Sequence, residues 1–372
     1  MIYFDNAATS YPKPEWVKKE LLRCLEESPG NPGRSSHRLS LAAAEKIYSA
    51  RETVAELIGG KRAECVVFTY NATHALNLAI KSLVTPYCHV LTSDFEHNAV
   101  IRPLERLKRD MGVSYSEFSS EGDIISNINS LKRKNTSGII SSIASNVTGE
   151  KIPLKLLSEY AKSHGLFLII DASQAIGHET INFEDTPCDA LCAPGHKALY
   201  GIQGCGFVYF KDTQRKEGLI EGGSGYDSTN PYMPMLLPEG YEAGTPATPA
   251  IAALEAGIKF INSIGQEQIS AHLLDLTSRA EEQLKSIPSI RIYRTGIGIL
   301  SFNVGDIPSS YIASKLDAMD ICVRGGLHCA PSVHRRLGTL GQGAVRLSFS
   351  VFNTKAEIDR FYSAVKSIVN EI

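Results

Sequence analysis

Two segments carry residue types able to do covalent chemistry together. The first, Leu168-Ile169-Ile170-Asp171-Ala172-Ser173-Gln174, is an apolar run that ends in a carboxylate. The second, Ala193-Pro194-Gly195-His196-Lys197, brings a lysine 26 residues after Asp171, behind another short apolar run. In an open parallel sheet, ligands sit at the carboxyl ends of the strands, so both groups can reach one edge. An amine there can capture a carbonyl compound, and a carboxylate there can hold a protonated ring nitrogen. Taken singly, each has a plainer reading: Asp171 as a helix N-cap after a strand, Lys197 as a solvated surface lysine.

As a pair, they are the two contacts that pyridoxal phosphate requires, the lysine for a Schiff base and the aspartate for the pyridinium nitrogen. Three further pieces fit the same edge. Thr69-Tyr70-Asn71-Ala72-Thr73-His74 lies between a strand and a helix, where amides and the helix dipole can bind a phosphate. Phe95-Glu96-His97-Asn98 follows a strand and offers a ring to stack on the cofactor. Ser145-Asn146 offers an amide near the ring hydroxyl. A histidine or asparagine in a loop is more often structural, so the convergence carries the argument.

The elements that must position these groups are legible as alternation. Strands are expected at 65–69, 89–92, 138–142, 166–171, 190–193 and 206–210, with helices at 41–58, 73–83, 100–110 and 154–164. That order implies an α/β fold with a largely parallel sheet covered by helices, running from about residue 15 to 250. Residues 224–249, rich in Gly, Pro, Ser and Thr, read as a long loop of functional kind. A long helix over 249–286 is expected to break near Gly265. Beyond it come strands at 290–293, 298–303 and 344–348 and helices at 309–319 and 355–370, a second and smaller α/β unit.

A length of 372 residues suggests two domains. Composition is globular, 43% hydrophobic and 21% charged, and the formal net charge of -2 gives no sign of a nucleic-acid or anionic-membrane partner. No apolar run approaches the roughly 20 residues of a membrane helix. The start, Met1-Ile2-Tyr3-Phe4-Asp5, lacks a signal-peptide pattern, so a cytoplasmic location is expected. Eight cysteines show no CxxC or zinc spacing, so no metal is expected and most should be reduced, buried thiols. No GxGxxG or GxxxxGK[ST] follows an expected strand, which argues against a nucleotide-binding reading.

Motifs covering nearly the whole chain then carry a resemblance: Tyr3-Phe4-Asp5-Asn6-Ala7-Ala8-Thr9, Glu96-His97-Asn98, Asp171-Ala172-Ser173-Gln174, Gly195-His196-Lys197, Tyr241-Glu242-Ala243-Gly244-Thr245 and Arg324-Gly325-Gly326-Leu327-His328-Cys329-Ala330-Pro331. On these the sequence resembles the cysteine desulfurase and selenocysteine lyase family, in the class V aminotransferase group of fold-type I pyridoxal-phosphate enzymes. The resemblance implies a large cofactor-binding domain over 15–250 and a smaller α/β domain formed by 1–14 and 251–372. It makes Lys197 the Schiff-base lysine and Asp171 the pyridinium partner, brings Gln174 to the ring hydroxyl, and gives His97 ring stacking and proton shuttling. Ala72, Thr73 and His196 would hold the phosphate. Thr245 would reach the phosphate of a neighbouring subunit, implying a homodimer. Asn146 would touch cofactor or substrate, and Ala8 would line the substrate side. Arg346 matches the arginine that clamps the substrate carboxylate, and Arg324 a second arginine near the cysteine loop. Cys329 matches the cysteine that takes sulfur as a persulfide, with Gly325 and Gly326 making its loop pliable and His328 and Arg324 favouring the thiolate.

The implied activity converts L-cysteine to L-alanine, with the sulfur passed on to an acceptor protein or a reductant. A selenocysteine lyase or another class V aminotransferase or lyase is the alternative. A catalytically silent partner or regulatory subunit is a second, opposed by the joint presence of Asp171, Lys197 and Arg346. The chain departs from the family pattern at Pro194, where Ser or Thr is usual, at Leu327, which replaces a histidine, and at Asn71-Ala72, where Gly-Thr is common.

Overall fold

The apolar runs ending at Asp171 and Pro194 lie side by side at the centre of a seven-stranded sheet. The structure is a computed structural model that describes residues 1–33, 35–213 and 218–371. The chain opens with β1 (Ile2–Tyr3), α1 (Glu15–Glu27) and α2 (Arg38–Leu57). Alternation follows through β2 (Val66–Thr69), α3 (Ala72–Leu83), β3 (His89–Ser93), α4 (Asn98–Met111), β4 (Ser114–Phe118), α5 (Ile124–Leu131), β5 (Thr136–Ser142), α6 (Leu154–Ser163), β6 (Phe167–Asp171), β7 (Ala190–Pro194) and β8 (Gly206–Phe210). The remainder carries α7 (Thr248–Ile264), α8 (Gln266–Lys285), β9 (Ile290–Gly296), β10 (Ile299–Val304), α9 (Ser309–Asp317), β11 (Ile321–Cys322), β12 (Arg324–Gly326), α10 (Pro331–Leu337), β13 (Ala344–Ser348) and α11 (Lys355–Glu371).

The large sheet has the order β2-β8-β7-β6-β5-β3-β4, with β8 the antiparallel member. Strands β7 and β8 are buried along their length, the reason they read as unbroken apolar runs. The expected α/β fold with a mostly parallel sheet is therefore present. Edge strand β4 escaped the sequence reading because Ser-Tyr-Ser-Glu-Phe is mostly half-buried and has no clear apolar period. The expected long helix is two, α7 and α8, divided at Gly265, whose φ of 96° favours glycine. Between β8 and α7 the described residues form neither helix nor strand, as expected of the loop at 224–249, whose last two residues instead begin α7.

The second sheet is antiparallel, in the order β12-β13-β10-β9. Strand β12 was not expected, because its residues are Arg-Gly-Gly. Gly325 lies so close to α9 that a Cβ there would stand 2.7 Å from the Ser309 carbonyl oxygen. The glycines thus admit a close approach and a strand, which corrects the expectation of a pliable loop.

The N-terminal segment straps the two sheets together. β1 pairs with β11, and the Ser348 amide donates to the Phe4 carbonyl at 2.7 Å. Phe4 is buried edge-on against Phe349 and Phe361, burial worth about 1.5–3 kcal/mol. A few residues later, the Ser10 amide and Lys13 Nζ both donate to the His196 carbonyl at 3.0 Å, within the loop that carries Lys197. Among the described residues, no helix is long and apolar enough to cross a membrane.

Candidate active site

A cavity of ≈220 Å³ opens at the carboxyl ends of β3, β5, β6 and β7. Its wall includes Ala8, Ala72, Thr73, His97, Asn146, Asp171, Gln174, His196, Lys197, Arg324 and Arg346, eleven residues expected from the sequence. Two expected residues stand elsewhere. Thr245 lies in a separate hollow beside Tyr70 and His74, and Cys329 is exposed at the residue after His328, which lines the wall.

Asp171 ends β6 and is buried, and its Oδ1 accepts the Ser173 amide at 2.9 Å. A turn follows it, so the plainer reading as a helix N-cap does not hold. Lys197 is half-buried, and burial lowers its ammonium to about 8, against the pull of Asp171. It is therefore poised to act as a neutral amine near pH 8, and the surface-lysine reading does not hold either.

His97 caps α4, its Nδ1 accepting the Ala99 amide at 3.0 Å. The proton of the neutral ring then sits on Nε2. Burial lowers its pKa, with Asp171 opposing and Lys197 and Arg324 adding to the fall. At the other end of the cavity, α3 begins with Asn71 as N-cap, its side chain accepting the His74 amide at 2.9 Å. The amides of Ala72 and Thr73 are left without helical partners at a dipole end suited to an anion. Gly206 permits this turn to approach β8, because a Cβ there would meet the Asn71 carbonyl carbon at 2.8 Å. Gln174 Nε2 donates to the Ala7 carbonyl at 3.2 Å.

The register of β12 on β13 sets Arg324 opposite Arg346, so both side chains rise from the same face. Arg346 is 1% exposed. Its Nη1 donates to the Asn146 carbonyl at 2.9 Å, and its Nη2 pairs with Asp5 Oδ1 at 2.7 Å. Asp5 belongs to the first motif, but no local signal in the sequence gives it this role. Three buried polar atoms of the cavity residues lack hydrogen-bond partners: Arg346 Nε, Asn146 Oδ1 and His196 Nδ1. Buried polar groups are normally satisfied, so these mark places for a polar ligand. The set suits a ligand with an anionic end at α3 and an α-carboxylate at Arg346.

The cysteine turn is over-determined. His328 and Cys329 have φ of 51° and 57°, conformations that cost non-glycine residues about 1–2 kcal/mol each. The Asn98 amide donates to the Cys329 carbonyl at 2.8 Å, and Asn146 Nδ2 to that of His328 at 2.7 Å. His328 is buried, and burial together with Arg346 holds its imidazole well below the usual range. It stays neutral, which corrects the expectation that it favours a thiolate by charge.

Glu96, buried behind the cavity wall between Phe95 and His97, has no role legible in the sequence. It is buried, accepts the Ser142 amide at 2.9 Å and also bonds Ser93, tying the ends of β3 and β5. Burial raises its carboxyl from 4.5 to about 8. The folded chain thus keeps a proton that the unfolded chain releases, and stability falls as pH rises from about 4.5 to 8. Glu96→Gln should flatten this slope in urea unfolding at pH 5 and pH 8; an unchanged slope in the variant contradicts the assignment.

Known proteins share this fold. The profile of the family described as "Aminotransferase class-V" matches residues 2–361. A probable cysteine desulfurase of Pyrococcus abyssi is 32% identical, covering 100% of this chain and 95% of its own. A cysteine desulfurase of Pectobacterium carotovorum is 29% identical, covering 99% and 93%. Among solved structures, an apo cysteine desulfurase from Thermococcus onnurineus superposes with a TM-score of 0.92 at 30% identity, covering 100% of this chain and 95% of its own. The cysteine desulfurase CsdA of Escherichia coli, in an S-sulfonic acid form, gives 0.90 at 25% identity with the same coverage. With the family profile spanning nearly the whole chain and relatives matched end to end, this chain belongs to the class-V aminotransferases and, within them, to the cysteine desulfurase family.

Proposed function

We propose that the protein is a pyridoxal-phosphate-dependent cysteine desulfurase that converts L-cysteine to L-alanine and passes the sulfur to Cys329 as a persulfide. The observation that carries this reading is the joining, in one cavity, of a lowered lysine amine, a buried strand-end aspartate, a helix N-terminus and a buried arginine, with an exposed cysteine at the adjoining turn. Lys197, Asp171, His97, Gln174 and Asn146 would hold the cofactor, with Ala72, Thr73 and His196 at its phosphate. When bound, pyridoxal phosphate supplies an aldehyde for the substrate amine and an electron-withdrawing ring that stabilises the charge left when the α-proton departs.

Arg346 binds the α-carboxylate, with Arg324 on the neighbouring strand. Lys197, a neutral amine near pH 8, takes the α-proton and returns a proton as product forms. His97, carrying its proton on Nε2, sits beside Lys197 and Asp171 and can exchange that proton within the cavity. Cys329 Sγ bonds to the substrate sulfur as the C–S bond breaks. The electron pair of that bond stays with carbon, which takes a proton and leaves as alanine. The persulfide is discharged by a thiol reductant or an acceptor protein.

A homodimer with shared sites accords with two further features. Thr245 lines a hollow together with Tyr70 and His74 outside its own cavity, and Trp16, Leu22, Leu25, Leu41 and Tyr48 leave an exposed apolar surface on α1 and α2. The test of the activity is direct. Protein loaded with pyridoxal phosphate and given L-cysteine and dithiothreitol should release alanine and sulfide in equal amounts. Absence of alanine overturns the proposal.

A further inference from the structure

Arg346 already has a carboxylate partner within its own chain. Asp5 Oδ1 lies 2.7 Å from Nη2, and the Asp5 side chain is 22% exposed where that of Arg346 is 1% exposed. Nη1 donates one N–H to the Asn146 carbonyl at 2.9 Å, while Nε is buried without a partner. The neighbouring cations are Arg324 on the facing strand and Lys197 across the cavity, the latter opposed by Asp171, while His328 is held neutral. The backbone of the N-terminal strap is held without the Asp5 side chain, through Phe4, Asn6 and Ala7 bonding Ser348. The carboxylate therefore acts on the guanidinium rather than on the strap.

We propose that Asp5 is an internal rival for the substrate-binding guanidinium, a positioning residue that tempers its grip on the carboxylate shared by substrate and product. The inference rests on the desulfurase reading, in which Arg346 binds the α-carboxylate. That reaction changes the side chain of the amino acid and leaves the carboxylate untouched. Whatever Arg346 gains in holding cysteine it also gains in holding alanine, and equal binding of both does not speed the chemical step. A buried guanidinium with no counter-ion would hold any carboxylate tightly, because its charge would be otherwise uncompensated. With Asp5 on Nη2 the charge is already partly met. The unpartnered Nε is left for the incoming carboxylate, and the product can leave.

The test uses the full-length protein loaded with pyridoxal phosphate and follows L-alanine binding by titration calorimetry, which needs no sulfur chemistry. In Asp5→Asn, which keeps an oxygen for Nη2 but removes the charge, L-alanine should bind about fivefold more tightly, the scale of a partly exposed ion pair. Ethylamine, which has the amine but no carboxylate, should bind both proteins alike. Unchanged or weaker alanine binding in the variant overturns the proposal and leaves the desulfurase reading standing. Failure of the wild-type protein to bind L-alanine at all removes both. Asp5→Ser is the second variant. If neither variant keeps the circular dichroism and elution volume of the wild type, Asp5 is a folding partner of Arg346 and the proposal falls.

Discussion

Lys197→Ala should reduce alanine formation from L-cysteine by at least about a thousandfold while leaving the fold intact. The loss is large because the lysine is asked both to hold the cofactor and to move the α-proton, and alanine can do neither. The fold should survive because the loop is held by backbone. The Tyr200 amide donates to the Lys197 carbonyl at 2.9 Å, and the His196 carbonyl is gripped by Ser10 and Lys13. Removing an amine whose charge burial already disfavours should cost little stability. Chromatography of alanine gives the rate, and thermal melting checks the fold. A second readout is independent of turnover: after borohydride reduction of loaded protein, the peptide containing residue 197 should carry the cofactor mass in the wild type and not in the variant. A rate within tenfold of wild type would sink the assignment.

Cys329→Ser should abolish the gain of one sulfur mass after L-cysteine treatment and slow alanine formation by about a hundredfold or more. The competing thiols are poorly placed to substitute. Cys24, Cys65, Cys88, Cys188, Cys192 and Cys205 are buried, and burial raises Cys65 to about 11 and Cys188, Cys192 and Cys205 further. Cys322 is half-buried, and burial together with Asp317 raises it as well. Cys329 is exposed, and serine in its place keeps the backbone bonds from Asn98 and Asn146 that hold the turn. Intact-mass spectrometry of wild type and variant is the measurement. A sulfur adduct that persists in the variant would place the acceptor elsewhere.

Some of this site can be read directly from the sequence. Asp171 and Lys197 each follow an apolar strand, and the physics of a doubly covered parallel sheet makes such strands conspicuous and places their ends at the ligand edge. The turn before α3 is legible as a strand-to-helix junction in Thr69-Tyr70-Asn71-Ala72-Thr73-His74, while the capping by Asn71 is supplied by the structure. The rest was hidden for identifiable reasons. The pairing of Asp5 with Arg346 joins residues 341 apart, a separation that no local pattern reports. Glu96 reads as a surface-type residue, and its burial is created by Ser93 and Ser142 closing over it. The glycines before Cys329 suggest looseness, whereas Gly325 is required by the approach of α9. His328 looks like a charge donor until its burial beside Arg346 is seen.

The N-terminal strap also bears on the order of events during synthesis. β1 and Asp5 are made well before their partners in β11, Arg346 and Ser348, with 341 residues separating Asp5 from Arg346. While the chain is still on the ribosome, the parallel strands can assemble from β2 onward, but the strap has nothing to close against. The cavity is therefore completed only after β13 has been made. A chain halted before β13 would have Asp171 and Lys197 in place but would lack Arg346, so the two ends of the cavity are assembled at different stages of synthesis.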